Sequence, residues 1–442
     1  MLFHDIALID PEGITQKHMN VRVKDKWIES VEKCQKTLEE ARAGGEEVYD
    51  GRGKLIIPGL VNNHSHIPMT LTRGFAEDLT LQDWLFTRIF PFEALLTEED
   101  MYWGALLGIA EMLSGGTVSF TDMYMRIQGI FRAVVESGIK ASLSNGLTGD
   151  ASTKLEDTAW YRETETLIRD AKTSGGLVMA NASLHAQYTS EPPLVKALAD
   201  YARDRQLPMH VHLSETEHEH EECKVKYGKT PSRYFNDIGL FDVPTSAAHA
   251  IFIEGEDYDI LRDKGVTLTH MPSSNLKIGS GLADVKRWRD HGIRVAIGTD
   301  GAGSNNNLDM IEEVTLASFL AKGIHRDPLL FSTGELLTFA SRNGALAQGR
   351  DDTGLLEAGY RADLAVVDMN SLKFQPIYDY GTSLFTNANA SDVALTMVDG
   401  KVLYRDGEFT SIDIEKVIWN VIRVRDEKLA DRKSTRLNSS HI

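Results

Sequence analysis

Short stretches of alternating apolar and polar residues occupy the two ends of the chain. Residues 1–57 contain three of them, and the same texture returns in residues 361–409. Alternation with a period of two residues is typical of β-strands that bury one face. Two Asp-Gly pairs, at 399–400 and 406–407, predict tight turns between such strands. We therefore expect residues 1–57 and 351–415 to form one small β-sandwich domain together.

The middle of the chain, residues 58–350, has a different pattern. Short apolar runs that predict strands alternate with helical stretches, and the strands number eight when residues 55–66 are taken as the first. One helix begins after Thr97, with Asp100 placed to complete its cap, and ends at Gly115 and Gly116. This α/β alternation favours a (β/α)8 TIM barrel, with an open doubly wound sheet as the alternative.

Residues 416–442 are expected to form a C-terminal helix and a flexible tail. The last ten residues are polar and without periodicity, and we interpret them as a tail or a cloning remnant.

Composition and charge disfavour several classes of protein, including nucleic-acid binders, membrane binders and disulfide-rich proteins. The 442 residues are 42% hydrophobic and 25% charged, as in ordinary soluble proteins. The formal net charge of −18 disfavours binding to nucleic acid or to an anionic membrane, since both require a basic face. Two cysteines, Cys34 and Cys223, exclude a disulfide framework. Because no long apolar run or secretory signal pattern is present, we expect a cytoplasmic protein.

Side chains that can bind a metal stand where several predicted strands end. The first strand ends in His64-Ser65-His66, and residues i and i+2 of a strand point to the same side. In a barrel, the carboxyl ends of all strands surround one cavity. A single histidine at such a position is more often structural, but here the pattern repeats. The further candidates at strand ends are His210, His212, Glu215, His249 and Asp300.

The residue types indicate which metal the site would hold. Imidazole nitrogens combined with a carboxylate oxygen suit Zn²⁺ or Fe²⁺ better than Mg²⁺ or Ca²⁺. Of His210 and His212, only one can lie at the rim, and His212 is nearer to Glu215. The acidic stretch that contains His218 and His220 is interpreted as a solvated helix without a metal site.

Four segments of the chain resemble the amidohydrolase superfamily: PGLVNNHSHIPMTLTRG (58–74), HVHLSETEHE (210–219), HMPSSN (270–275) and GTDGAGSNNNLDM (298–310). They are most similar to the branch of 5-methylthioadenosine/S-adenosylhomocysteine deaminases, which is related to guanine deaminase and triazine hydrolases. The resemblance covers nearly all of residues 1–410. It implies a metal-dependent hydrolase of C–N bonds that deaminates a small nucleoside and forms homo-oligomers.

The resemblance also implies roles for individual residues. One metal ion, Zn²⁺ or Fe²⁺, is held by His64, His66, His212 and Asp300, and a single ion is favoured because the fourth predicted strand lacks the lysine of two-metal relatives. The catalytic set is Glu215, which moves protons, His249, which polarises the nucleophile or substrate, and Asp300, which accepts a proton from water. The substrate-binding set is Trp84, Glu93, Asn145, His185 and Glu215, of which Glu93 would hold ribose hydroxyls.

The third predicted strand departs from the pattern of the branch. Where members often have Ser-Arg-Gly-Leu, this chain has Asn145 in the segment SNGL. A neutral amide cannot form the bidentate charge-assisted pair that suits the carboxylate of S-adenosylhomocysteine. This favours 5′-methylthioadenosine, 5′-deoxyadenosine or adenosine as the substrate.

Two other interpretations stay open. The first is another enzyme on the same scaffold, a guanine deaminase or a triazine amino- or chlorohydrolase. The second is a metal-binding protein without catalysis, which the presence of both Glu215 and Asp300 disfavours.

Overall fold

The computed structural model describes the backbone of residues 1–439 and the side chains of residues 1–430. The strands are β1 Leu2–Ile9, β2 Thr15–Lys24, β3 Trp27–Lys33, β4 Val48–Asp50, β5 Lys54–Pro58, β6 Leu60–Ser65, β7 Thr117–Met123, β8 Lys140–Ser144, β9 Val178–Ala180, β10 Ala182–Leu184, β11 Met209–Leu213, β12 Thr245–His249, β13 Thr267–His270, β14 Arg294–Ile297, β15 Leu364–Asp368, β16 Val393–Val398, β17 Lys401–Arg405 and β18 Glu408–Phe409.

The α-helices lie between these strands and at the C-terminal end of the described chain. They are α1 Leu38–Ala43, α2 Leu81–Trp84, α3 Phe90–Glu93, α4 Glu98–Ser114, α5 Ile127–Ser137, α6 Ala159–Ala171, α7 Pro192–Arg205, α8 Glu217–Tyr227, α9 Pro231–Ile238, α10 Asp257–Asp263, α11 Pro272–Lys277, α12 Val285–Asp290, α13 Met310–His325, α14 Thr333–Leu337, α15 Asn343–Ala347, α16 Tyr380–Leu384 and α17 Ile414–Ser439.

Both ends of the chain contribute to one sheet of nine strands. Its order is β18-β17-β16-β15-β5-β1-β2-β3, and β4 pairs with β1. The junction between the two ends is the antiparallel pair of β15 with β5, in which Leu364 lies opposite Pro58. The expected β-sandwich is not confirmed, because these strands form a single mixed sheet.

The strands between β6 and β14 form two parallel sheets. One contains β6, β7, β8 and β9, and the other contains β10, β11, β12, β13 and β14. This confirms an α/β architecture with parallel strands. A closed barrel is not confirmed: within residues 1–439, no ladder joins β9 to β10 or β14 to β6. The second gap is bridged by a backbone hydrogen bond, in which the Asp300 N–H donates to the carbonyl of His64 (3.0 Å). The Asn62 side chain adds two more, accepting from the Thr299 N–H (3.1 Å) and donating to the Thr299 hydroxyl (2.7 Å).

Most of the parallel strands are buried along their whole length, which explains their near-continuous apolar sequences; β9 and the first residue of β14 are the exceptions. Every residue of β6, β7, β8, β11 and β12 is buried, as expected where both faces of a sheet are covered. The segment 55–66, predicted as one strand, is two strands separated by Gly59. A Cβ at Gly59 would come within 2.3 Å of the Val118 side chain, so the chain passes close to β7 at this point.

The long helix α4 begins and ends where the sequence predicts. Thr97 and Asp100 form the capping box that the sequence predicts, and Gly115 is the C-terminal cap. Helix α17 continues to Ser439, into the segment expected to be a tail, whereas residues 440–442 of that segment lie outside the described residues. Over the described part of the chain, no helix has the length and hydropathy needed to cross a bilayer.

Candidate active site

Three histidines from two strand ends converge on one point. His64 is in β6, His66 follows β6 by one residue, and His212 is in β11. One ring nitrogen from each lies within 4.8 Å of the other two. The Nε2 atoms of His66 and His212 are 3.3 Å apart. Because parallel strands end at the same edge, residues 146 positions apart in the sequence meet there.

Asp300 joins this group from the loop after β14. Its Oδ1 is 3.4 Å from Nε2 of His64 and 3.3 Å from Nε2 of His66. Its Oδ2 accepts hydrogen bonds from the hydroxyls of Ser274 (2.6 Å) and Ser304 (2.9 Å). Although burial favours the neutral acid, His64 and the neighbouring histidines hold the pKa of Asp300 well below its usual range. The group is therefore a carboxylate with one oxygen directed toward the imidazoles.

The outer nitrogens of two of these histidines are held by backbone carbonyls. His66 donates from Nδ1 to the carbonyl of Met123 (2.7 Å), and His212 donates from Nδ1 to the carbonyl of His185 (2.6 Å). Since a carbonyl only accepts, each Nε2 is left with a lone pair that faces the group. Burial lowers the pKa of His64 to about 4, and its Nε2 is buried without a hydrogen-bond partner. Three imidazole nitrogens that face inward beside a carboxylate fit a divalent cation.

Glu215 and His249 lie beside the same group, and the His249 ring is 5.6 Å from that of His64 and 5.4 Å from that of His212. Oε2 of Glu215 is 3.7 Å from Nε2 of His249, and Oε1 accepts a hydrogen bond from Ser280 (3.3 Å). Nδ1 of His249 donates to the side-chain oxygen of Asn275 (2.9 Å). Burial raises the pKa of Glu215, so that this carboxyl can hold a proton close to a metal site. Burial alone would lower the pKa of His249, but Glu215 and Asp300 outweigh it and raise that pKa.

A cavity of about 780 Å³ opens onto this group of residues. Its walls include every residue predicted to bind substrate: Trp84, Glu93, Asn145, His185 and Glu215. It is also lined by His66, His212, His249 and Asp300, whereas His64 lies behind the wall. The structure thus brings all predicted site residues to one place, while their roles stay predictions.

The chain matches the model of the amidohydrolase family over residues 55–403. It belongs to the amidohydrolase family. It is 43% identical over 379 residues to a 5-methylthioadenosine/S-adenosylhomocysteine deaminase from Dictyoglomus thermophilum, a match that covers 84% of this chain and 87% of the relative. The predicted resemblance and the predicted class, a hydrolase acting on C–N bonds, are confirmed.

Solved structures show the same fold. An adenosine deaminase from Xanthomonas campestris with bound zinc superposes with a TM-score of 0.89 at 28% identity, covering 97% of this amidohydrolase and 98% of that chain. Atrazine chlorohydrolase from Arthrobacter aurescens, complexed with zinc, superposes with a TM-score of 0.85 at 23% identity, covering 96% and 99%. Metal binding is therefore a property of these neighbours, and the three histidines of this amidohydrolase could hold a metal as well.

The side chain of Glu219, which the sequence pattern did not predict as a site residue, holds the backbone of Glu215. The acidic stretch 216–222 begins helix α8 as expected, and His218 is exposed, but Glu219 and His220 are buried. The two oxygens of Glu219 accept the backbone N–H groups of Ser214 (3.1 Å) and Glu215 (2.8 Å). Ser214 has a φ of 45°, so the chain turns sharply there. A signal was available, since Thr216 with Glu219 is a Thr-x-x-Glu helix start.

A second missed residue orients Glu93. This carboxyl is buried at the end of α3, and the hydroxyl of Tyr124 donates to its Oε1. Tyr124 follows β7 directly and also lines the cavity. Burial raises the pKa of Glu93. Tyr124 thus directs one carboxyl oxygen and leaves Oε2 for another partner.

Proposed function

We propose that this amidohydrolase removes the 6-amino group of an adenosine derivative and releases ammonia and the inosine analogue. The observation that carries the proposal is the buried carboxyl of Glu215 beside three inward-facing histidines and Asp300, at the end of a substrate-sized cavity. The 43% identical relative named for 5-methylthioadenosine and S-adenosylhomocysteine supports the substrate class.

Four residues would hold the metal: His64, His66, His212 and Asp300. Zinc is the ion we propose, with ferrous iron as the alternative, because imidazole and carboxylate ligands accept both. When bound, the cation supplies a water of lowered pKa as the nucleophile.

Three residues would handle the protons and charge of the reaction. Asp300 accepts one proton from the attacking water, and Glu215 gives its own proton to ring N1. Glu215 then takes the remaining proton of the water oxygen and passes it to the leaving amine, and the proton on Asp300 returns to Glu215. His249, fixed at Nδ1 by Asn275, presents Nε2 to the charge that develops at the reacting carbon's new oxygen.

The cavity favours a substrate without negative charge at the 5′ position. No lysine or arginine is among the described residues that line it. Asn145 stands where members of the branch often have an arginine suited to a substrate carboxylate. Here the amide of Asn145 donates to the carboxylate of Glu163 (2.8 Å), so this position already has an acidic partner within the protein. We therefore propose 5′-methylthioadenosine, 5′-deoxyadenosine or adenosine in preference to S-adenosylhomocysteine. The buried carboxyl of Glu93 would accept from the ribose hydroxyls, which guanine and triazines lack.

The test is a deamination panel with the zinc-reconstituted protein, followed by ultraviolet absorbance and ammonia release. The panel contains 5′-methylthioadenosine, 5′-deoxyadenosine, adenosine, S-adenosylhomocysteine, guanine and a chlorotriazine. We expect turnover of the three uncharged nucleosides first. Glu215→Gln should lower kcat about 100-fold or more with its metal content unchanged, while Glu217→Gln on the exposed helix surface should not. Activity on guanine or the triazine alone would overturn the proposal.

A further inference from the structure

His210 is a buried imidazole that the proposed chemistry does not use. It lies in β11, two residues before His212, with no exposed surface and outside the cavity wall. Its Nε2 is 2.8 Å from Nδ1 of His64, and the two rings are 5.0 Å apart. Besides this contact, the ring of His210 donates to the backbone of Ser246 on the neighbouring strand β12. With a carbonyl as its other partner, His210 carries its hydrogen on the nitrogen away from His64, and its Nε2 is free to accept.

The three metal-facing histidines differ in what holds their outer nitrogens. His66 and His212 donate to backbone carbonyls, which leave only one tautomer possible. His64 faces an imidazole, which can donate or accept. A metal ligand at Nε2 of His64 requires the hydrogen on Nδ1, and therefore an acceptor at Nε2 of His210.

We propose that His210 is a positioning residue that accepts the Nδ1 hydrogen of His64 and thereby keeps the Nε2 lone pair of His64 directed at the metal. The proposal rests on the metal site described above. It gives all three histidines the same arrangement, a hydrogen bond from Nδ1 outward and a lone pair at Nε2 inward. The first histidine of the HVH segment thus supports a ligand on another strand, while the second is a ligand itself.

The test measures zinc affinity by competition with a chromophoric chelator, so that it does not depend on turnover. His210→Leu removes the acceptor, and the dissociation constant for zinc should rise about 10- to 100-fold. His210→Gln offers an amide oxygen to Nδ1 of His64 and should recover most of the affinity. The matched control is His4→Leu, because His4 is also a buried histidine but lies in β1 of the nine-stranded sheet, away from the metal site.

Circular dichroism and the melting temperature of each metal-free variant establish that it folds. Wild-type affinity in folded His210→Leu would overturn the proposal, as would an equal loss in the leucine and glutamine variants. Should the leucine variant not fold, nitrogen-15 NMR of the zinc-loaded wild type, labelled at histidine, decides the question. We expect a hydrogen on Nδ1 of His64, and a hydrogen on Nε2 of His210 would refute the inference. A protein that binds zinc in this way but deaminates nothing on the panel would refute only the proposed function.

Discussion

Weakening the hydrogen bonds that hold the backbone of Glu215 is the sharpest perturbation of the site that leaves every predicted metal ligand in place. Glu219 accepts two backbone N–H groups, one on each carboxyl oxygen, from Ser214 and Glu215. Glu219→Gln keeps the size of the side chain but replaces one accepting oxygen with an NH2 group. One of the two backbone N–H groups then faces the NH2 group instead of an acceptor. The turn that carries Glu215 therefore keeps only one of its two hydrogen bonds to residue 219.

The magnitude follows from the type of bond that is lost. Burial raises the pKa of Glu219 to about 7, so the assay is run above that pH, where the group is a carboxylate. A hydrogen bond to a charged acceptor contributes about 1.5–3 kcal/mol. If this energy holds Glu215 in its reactive position, its loss lowers kcat about 10- to 150-fold, since about 1.4 kcal/mol corresponds to a factor of ten. Glu219 does not line the cavity, so KM should change little.

The assay compares steady-state deamination by Glu219→Gln and Glu222→Gln at equal zinc content. Glu222 lies on the same helix and loses the same charge, but its side chain is 51% exposed. A lower kcat with an unchanged KM in Glu219→Gln alone supports the reasoning. A kcat equal to that of the control, in a folded and fully loaded variant, would show that Glu215 does not depend on this anchor.

Two further predictions concern stability. Lys140→Met removes a buried ammonium that lies 2.5 Å from the fully buried carboxylate of Asp363, and it should lower the free energy of unfolding in urea by about 3–5 kcal/mol, whereas Lys172→Met at an exposed position should not. Burial raises the pKa of Glu313 to about 8, so between pH 4.5 and 8 the unfolded chain binds fewer protons and stability falls as pH rises. In Glu313→Gln the melting temperature should fall less from pH 5 to pH 8 than in the exposed control Glu312→Gln; equal losses in both would contradict the assignment.

The sequence was sufficient to predict that the candidate residues at strand ends come together in one place. Five site residues were predictable because each lies at or just after the end of a strand, and parallel strands bring such positions to one edge. They are His64, His66, His212, His249 and Asp300. The same pattern could not show closure of the barrel or pairing of the terminal strands. Alternation fixes which face of a strand is buried but not which strand lies beside it, so one nine-stranded sheet and a sandwich have the same sequence pattern.

Glu219 and Tyr124 were not predicted, and His210 was considered only as a metal ligand. The three residues share one physical property, since each contacts and holds another residue of the site. Glu219 holds a backbone segment, Tyr124 holds the carboxyl of Glu93, and His210 contacts His64 across 146 positions of sequence. Their own surroundings in the sequence look ordinary, as a helix start, a strand end and a buried strand. A site that buries ionisable groups needs such partners, because each buried charge or donor must find a counterpart. These residues are therefore found by asking which hydrogen-bond partner each buried nitrogen and oxygen of the site has. The periodicity of the sequence does not reveal them.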